Sequence, residues 1–146
     1  MRPAAAIVGM VILAASIVDA HVTVAPRESR AGAEQRYTIR VPTEGQVATT
    51  SVELEVPAGM TIVEVVPGNG FTFETRRDGS RIVAITWKRD IPPKQTAEFV
   101  FVARNPQAAQ VAWKATQRFA DGTSAEWLGV EGDRRPAAVT RLTSAK

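Results

Sequence analysis

The sequence predicts an all-β protein, an antiparallel immunoglobulin-like β-sandwich of seven to nine short strands. Three observations predict it. Apolar residues recur with period two from residue 21 onward, and turn dipeptides separate those runs at short, regular intervals. No stretch after residue 20 keeps a 3.6-residue apolar pattern beyond two turns, apart from a short helical turn expected over Gln107–Val111. A small closed barrel is the competing architecture.

The first element is a segment for export. Arg2 gives a basic start, and Ala4 to Val18 is an uncharged, mostly apolar run of about 15 residues, shorter than a membrane span needs. Val18-Asp19-Ala20 puts small or branched residues at the positions a signal peptidase reads, so residues 1–20 are expected to be a signal peptide cut after Ala20. A buried N-terminal helix or an uncleaved anchor is the plain structural alternative. Residues 21–146 are then one domain, free in the periplasm or secreted, with no second apolar span to anchor it.

The strands come in order along the chain. Tyr37, Ile39 and Val41 alternate with Arg36, Thr38 and Arg40; Val52, Leu54 and Val56 alternate with Ser51, Glu53 and Glu55. Arg81–Trp87 and Ala97–Val102 are rich in β-branched and aromatic residues, as central strands are. Ala58-Gly59, Gly68-Asn69-Gly70, Asp78-Gly79, Pro92-Pro93, Asn105-Pro106 and Asp121-Gly122 mark the turns. Asp78-Gly79 and Asp121-Gly122 suit type I′ hairpins. The segment from Gly132 reads as a last edge strand, anchored by Val139 and Leu142, with a frayed tail.

Composition excludes much chemistry. The 146 residues hold no Cys and one His, which removes thiolate metal sites, iron–sulfur clusters, disulfides, thiol catalysis and multi-His centres. The net charge of +3 is small and dispersed, so nucleic acid is not an expected partner. A histidine-brace monooxygenase needs a second imidazole. A Ser/His/Asp triad needs a buried, oriented His in a suitable context, and no Gly-x-Ser-x-Gly is present. No enzyme activity is expected.

Cleavage after Ala20 makes that one histidine, His21, the first residue of the mature chain. Its α-amine and imidazole Nδ1 then close a six-membered chelate ring on one metal ion, and both lose their protons near neutrality. Two nitrogens in a plane suit Cu(II), which also leads the divalent affinity order. Of the soft donors only Met60 outlasts the cleavage, so Cu(I) is poorly served. A lone His is more often structural, and position one is what separates this His from that reading. A terminal motif with His at position three is excluded by Thr23.

The residues also carry a resemblance. His21-Val22-Thr23-Val24-Ala25-Pro26, Ala31-Gly32, Tyr37-Thr38, Val41-Pro42-Thr43-Glu44 and Thr49-Thr50 come first. Val56-Pro57, Pro67-Gly68, Thr86-Trp87, Ile91-Pro92-Pro93, Glu98-Phe99-Val100-Phe101 and Asn105-Pro106 come next, then Gln117 to Gly122 and Glu126-Trp127. In that order they resemble the YcnI-like domain, a family of exported copper-binding proteins. The resemblance implies a β-sandwich holding Cu(II) in a mono-histidine brace. Carried over, His21 chelates the ion and Trp127 is the tryptophan beside it. For the completing carboxylate it implies Glu44 first, Glu98 second and Glu28 third. The family often has a tryptophan near Phe71 and a tyrosine at Phe119, and both departures read as packing changes.

Each residue has an ordinary reading beside that one. Trp127 packs at a strand end, as Trp87 and Trp113 are expected to do in the core. Glu44 is a solvated turn residue, and Glu98 an edge-strand charge. Gln117 and Asp121 are candidates for the surrounding shell, with Asp121 better explained by its turn. The expected role is copper delivery or homeostasis, with a further exported or membrane copper protein as transfer partner, docking near His21 on Val22 and Val24. A metal-free protein- or carbohydrate-binding module is the alternative.

Overall fold

A computed structural model describes residues 20–144, so the expected signal peptide lies outside the described residues except for Ala20. Twelve strands are present among them: β1 (Thr23–Ala25), β2 (Glu28–Arg30), β3 (Glu34–Pro42), β4 (Thr49–Glu55), β5 (Thr61–Val65) and β6 (Thr72–Asp78). The chain continues through β7 (Arg81–Ile91), β8 (Thr96–Arg104), β9 (Gln110–Trp113), β10 (Ala115–Phe119), β11 (Ser124–Trp127) and β12 (Ala138–Thr143). The surplus over seven to nine comes from β1, β2, β9 and β11, which are three or four residues long. Such segments are too short to display alternation.

The strands form three open sheets, in the orders β1-β3-β8-β5, β11-β10-β4-β7-β6 and β2-β12-β9. Open edges settle the sandwich over the closed barrel. All pairings between these strands are antiparallel except β2 with β12. The expected alternation is observed: Tyr37, Ile39 and Val41 of β3 share one buried cluster with Phe99 and Phe101 of β8 and Val52 and Leu54 of β4. Trp87 stacks on Phe99 with ring centroids 5.4 Å apart, and Trp113 meets Tyr37 edge-on at 4.9 Å. Both indoles are core residues, as their flanking strands predicted. Phe71 packs edge-to-face on Phe99, a packing role as expected.

Three local expectations are corrected. Gln107–Val111 is no helical turn: a bend leads directly into β9. β12 is the middle strand of its sheet, flanked by β2 and β9, and Thr140 anchors it by accepting a hydrogen bond from Trp113 Nε1. Sequence patterning missed this because the buried Thr is polar and Val139 is exposed. The Asp78–Arg81 hairpin closes around Gly79 and Ser80, with positive φ at Gly79 alone (61°), the signature of a type II′ rather than a type I′ turn.

Two sheet edges come together at one end of the sandwich. β1 borders the four-stranded sheet and β11 borders the five-stranded sheet. His21 lies just before one and Trp127 ends the other.

Candidate metal centre

His21 and Trp127 meet across those two edges, with ring centroids 5.6 Å apart and planes inclined by 58°. Short-range alternation puts Trp127 there: in β11, Ala125 and Trp127 point inward while Ser124 and Glu126 point out. The hairpin joining β10 to β11 is held by Asp121, whose Oδ1 accepts from Thr123 N at 3.0 Å and from Thr123 Oγ1 at 2.6 Å. Those bonds hold the Asp121 carboxyl below its usual range and fit a turn here, but with positive φ at Gly122 (87°) and not at Asp121 it is not the type I′ turn expected.

Behind the indole runs a polar chain that is satisfied from end to end. Trp127 Nε1 donates to Gln117 Oε1 at 3.1 Å. Gln117 Nε2 donates to Pro42 O at 2.9 Å and to Thr49 Oγ1 at 2.8 Å. The Thr43 hydroxyl donates to Ile91 O at 2.9 Å, so its single proton is used. The 2.6 Å contact between Thr43 and Thr49 must therefore run from the Thr49 hydroxyl to Thr43 Oγ1. Gln117, Thr43 and Thr49 are all buried, where an unpaired polar group would be costly. The chain fixes the indole and both ends of the Pro42–Thr49 segment as one unit.

That segment carries Glu44. The Thr43 main chain is pinned by Thr43 N donating to Gln95 O at 2.9 Å and Lys94 N donating to Thr43 O at 2.7 Å. Lys94 sits in a Pro92–Gln95 turn with φ of 65°, among the described residues the one non-glycine with positive φ. At the far end Ala120 N donates to Ala48 O at 2.9 Å, tying the segment to the β10–β11 hairpin. Glu44 itself is exposed.

His21, Glu44, Gln117 and Trp127 line one cavity of about 550 Å³, and Ala20 lines it too. Of the carboxylates considered, Glu44 is the one that lines this cavity with His21. Glu98 is exposed on β8, 3.9 Å from the Arg40 guanidinium, and Glu28 is exposed on β2; neither lines this cavity. Met60 is fully buried and also absent from its walls.

Among the described residues no group of three or more His, Cys, Asp or Glu side chains stands close enough to hold a metal ion. A metal bound here needs a donor beyond the imidazole and one carboxylate. The nitrogen of His21 is such a donor once the Ala20–His21 bond is cut, and Ala20 already borders the cavity.

Sequence reasoning missed three features. Phe119, read as a packing change, is half-buried and lines the cavity. Arg134 and Arg135 line it as well, from a loop with no apolar pattern to locate it. Val22 and Val24, expected to receive a partner, are 4% and 2% exposed and belong to the core. The exposed apolar residues nearest in sequence to Trp127 are instead Leu128 and Val130.

The chain is similar to known proteins in sequence and in fold. Residues 21–142 match the family described as a domain of unknown function, DUF1775. The chain is 37% identical over 145 residues to the copper-binding protein CutI of Bacillus subtilis, covering 97% of this chain and 71% of the relative. A Nocardia farcinica protein whose crystal structure reveals an immunoglobulin-like fold is 30% identical, with a TM-score of 0.73 over 84% of this chain and 97% of that one. A non-cellulosomal cohesin from Archaeoglobus fulgidus aligns with a TM-score of 0.52 over 85% of this chain and 91% of its own, at 13% identity, a likeness of fold alone.

Proposed function

Because the chain belongs to the DUF1775 family, the YcnI-like group its motifs resemble, we propose that it is an exported copper-binding protein. His21 is its chelating residue, and no catalysis is involved. The observation that carries this reading is the convergence of His21, Glu44 and Trp127 on one cavity that Ala20 also borders. The 37% identity to a copper-binding protein supports the metal, and the family match begins at His21.

Signal peptidase cuts after Ala20 and frees the amine. The amine and imidazole Nδ1 of His21 then grip one Cu(II) ion, and Glu44 supplies the carboxylate that offsets part of its charge. Trp127 walls the ion from water and presents an electron-rich face to it. Two nitrogens and a carboxylate favour the cupric over the cuprous state. A cupric store or carrier in an oxidising compartment, periplasmic or extracellular, suits that donor set. Handover to another exported or membrane copper protein completes the role.

The experiment is a copper titration of protein beginning at His21, with electron paramagnetic resonance of the loaded form. One equivalent with a type-2 spectrum is expected. Protein whose His21 amine is acetylated has an amide where the amine should be, and its affinity should fall sharply, because one of the two chelating nitrogens is lost. Equal affinity in the two forms overturns the chelate.

A further inference from the structure

The cavity is larger than a metal ion needs, and its charge is of the wrong sign for a site that takes a cation alone. A water in the liquid occupies about 30 Å³, so the roughly 550 Å³ here has the scale of small-molecule sites, about 300–1,000 Å³. Two exposed arginines, Arg134 and Arg135, line it with one carboxylate, Glu44, and the same two border a neighbouring depression lined by Glu126 and Asp133. Among the described residues neither guanidinium takes part in an ion pair.

The arginines are set there by a built loop. Gly129 N donates to Arg135 O at 3.0 Å, Ala137 N to Gly129 O at 2.9 Å, and Val130 N to Asp133 Oδ2 at 3.0 Å. A Cβ on Gly129 would lie 2.8 Å from Asp133 Cβ and 3.1 Å from Arg135 O, so the crossing tolerates only glycine without a shift. The loop closes on itself immediately after Trp127 and returns the two arginines to the wall of the cavity that the indole lines.

We propose that this cavity binds a small polycarboxylate anion, held by Arg134 and Arg135, that also reaches the metal position at His21. Guanidinium groups pair with carboxylates through two parallel N–H···O bonds, a fit that ammonium groups do not offer. A molecule with two or three carboxylates spans both partners: one carboxylate on the arginines, another on the open coordination position that an amine, an imidazole and one Glu leave in a tetragonal ion. The second contact rests on the proposed copper function; the first does not. The cargo is then a copper–carboxylate complex, and the arginines select it over the bare hydrated ion.

The test uses mature protein from His21 and tricarballylate, a tricarboxylate without the chelating hydroxyl of citrate. Calorimetric titration of metal-free protein should show binding that weakens with added salt, because the arginines are solvent-accessible. The double variant R134Q/R135Q should bind roughly tenfold less tightly or worse, as loss of charge-assisted pairs implies. Acetate at matched ionic strength should bind far more weakly to the unaltered protein, a comparison that needs no variant. No binding of tricarballylate, or equal binding by the double variant or of acetate, overturns the arginine site. In copper-loaded protein the anion should shift the paramagnetic resonance spectrum, and an unchanged spectrum at saturation removes the metal contact. Copper failing to bind while the anion arm succeeds would sink the copper reading and leave the arginine site standing.

Discussion

Trp127 Nε1 donates to Gln117 Oε1 across the β10–β11 pair, and through Gln117 the indole is tied to Pro42 and Thr49 on either side of Glu44. The platform beside His21 and the segment bearing the carboxylate are thus parts of one hydrogen-bonded unit. A metal entering between them meets walls that are already in place, so little ordering entropy is lost on binding.

Replacing Gln117 with Leu tests that coupling. The substitution leaves the Trp127 N–H without its acceptor and removes the donor shared by Pro42 O and Thr49 Oγ1, all in a buried region. A loss of about 2–4 kcal/mol in urea unfolding is expected from orphaned buried polar groups. Copper affinity should fall as well, even though Gln117 is no proposed ligand. Wild-type affinity in folded Gln117→Leu protein would show that the platform does not need its tether.

Lys94 predicts a gain. Its φ of 65° falls in the left-handed region, yet its main-chain N–H does the useful work by donating to Thr43 O. Lys94→Gly keeps that bond and relieves Cβ strain of about 1–2 kcal/mol, partly offset by the greater freedom of glycine in the unfolded chain. A net stabilisation of about 0.5–1 kcal/mol is expected. Lys94→Ala removes the same charge without relieving φ and should show no gain; a gain there would assign the effect to charge instead.

What the sequence disclosed, and what it hid, depends on the range over which its signals act. Alternation over Tyr37, Ile39 and Val41 needs no knowledge of partners, and those residues are buried as read. His21 and Trp127 were legible through motif order, but their mutual contact joins the edges of two sheets and no local pattern encodes it. Glu44 and Glu98 were separable only once β8 placed Glu98 beside Arg40. Arg134 and Arg135 were invisible because a loop closed by main-chain hydrogen bonds leaves no periodic trace. Val22 and Val24 misled as a docking face because the chain entering and forming the short edge strand β1 still turns its apolar side into the core.

Alkaline pH should weaken the fold through Tyr37. Burial pushes its hydroxyl pKa above the ordinary value of 10.0, and the hydrogen bonds with Ser29 and Asn105 counter that only in part. Above about pH 10 the unfolded chain releases this proton while the folded chain retains it, so stability is full below that pH and falls as pH rises toward the folded value. Tyr37→Phe loses the bond to Asn105 and is less stable at neutrality, but it lacks this titration. Its melting temperature should decline less steeply than that of the wild type between about pH 9 and 11, the window around the unfolded tyrosine value, measured by circular dichroism. Parallel declines would place the alkaline sensitivity elsewhere.

The identity of the carboxylate is decided by a pair of isosteric variants. Glu44→Gln removes the charge that shares the cavity with His21 and keeps the side-chain volume. Without it the cupric charge is met by neutral nitrogens alone, with Arg134 and Arg135 on the same wall, so affinity should fall by roughly one to two orders of magnitude. Glu98→Gln breaks an exposed 3.9 Å pair with Arg40, which contributes about 0–1 kcal/mol to stability, and should leave the copper titration unchanged. The contrast is sharper than either result alone, because both substitutions alter net charge by the same amount and any long-range effect on the metal cancels. A deficit confined to Glu98→Gln would move the third ligand to the outer face of β8, which the cavity containing His21 does not reach, and would require the 130s loop and the Glu44 segment to have a different purpose.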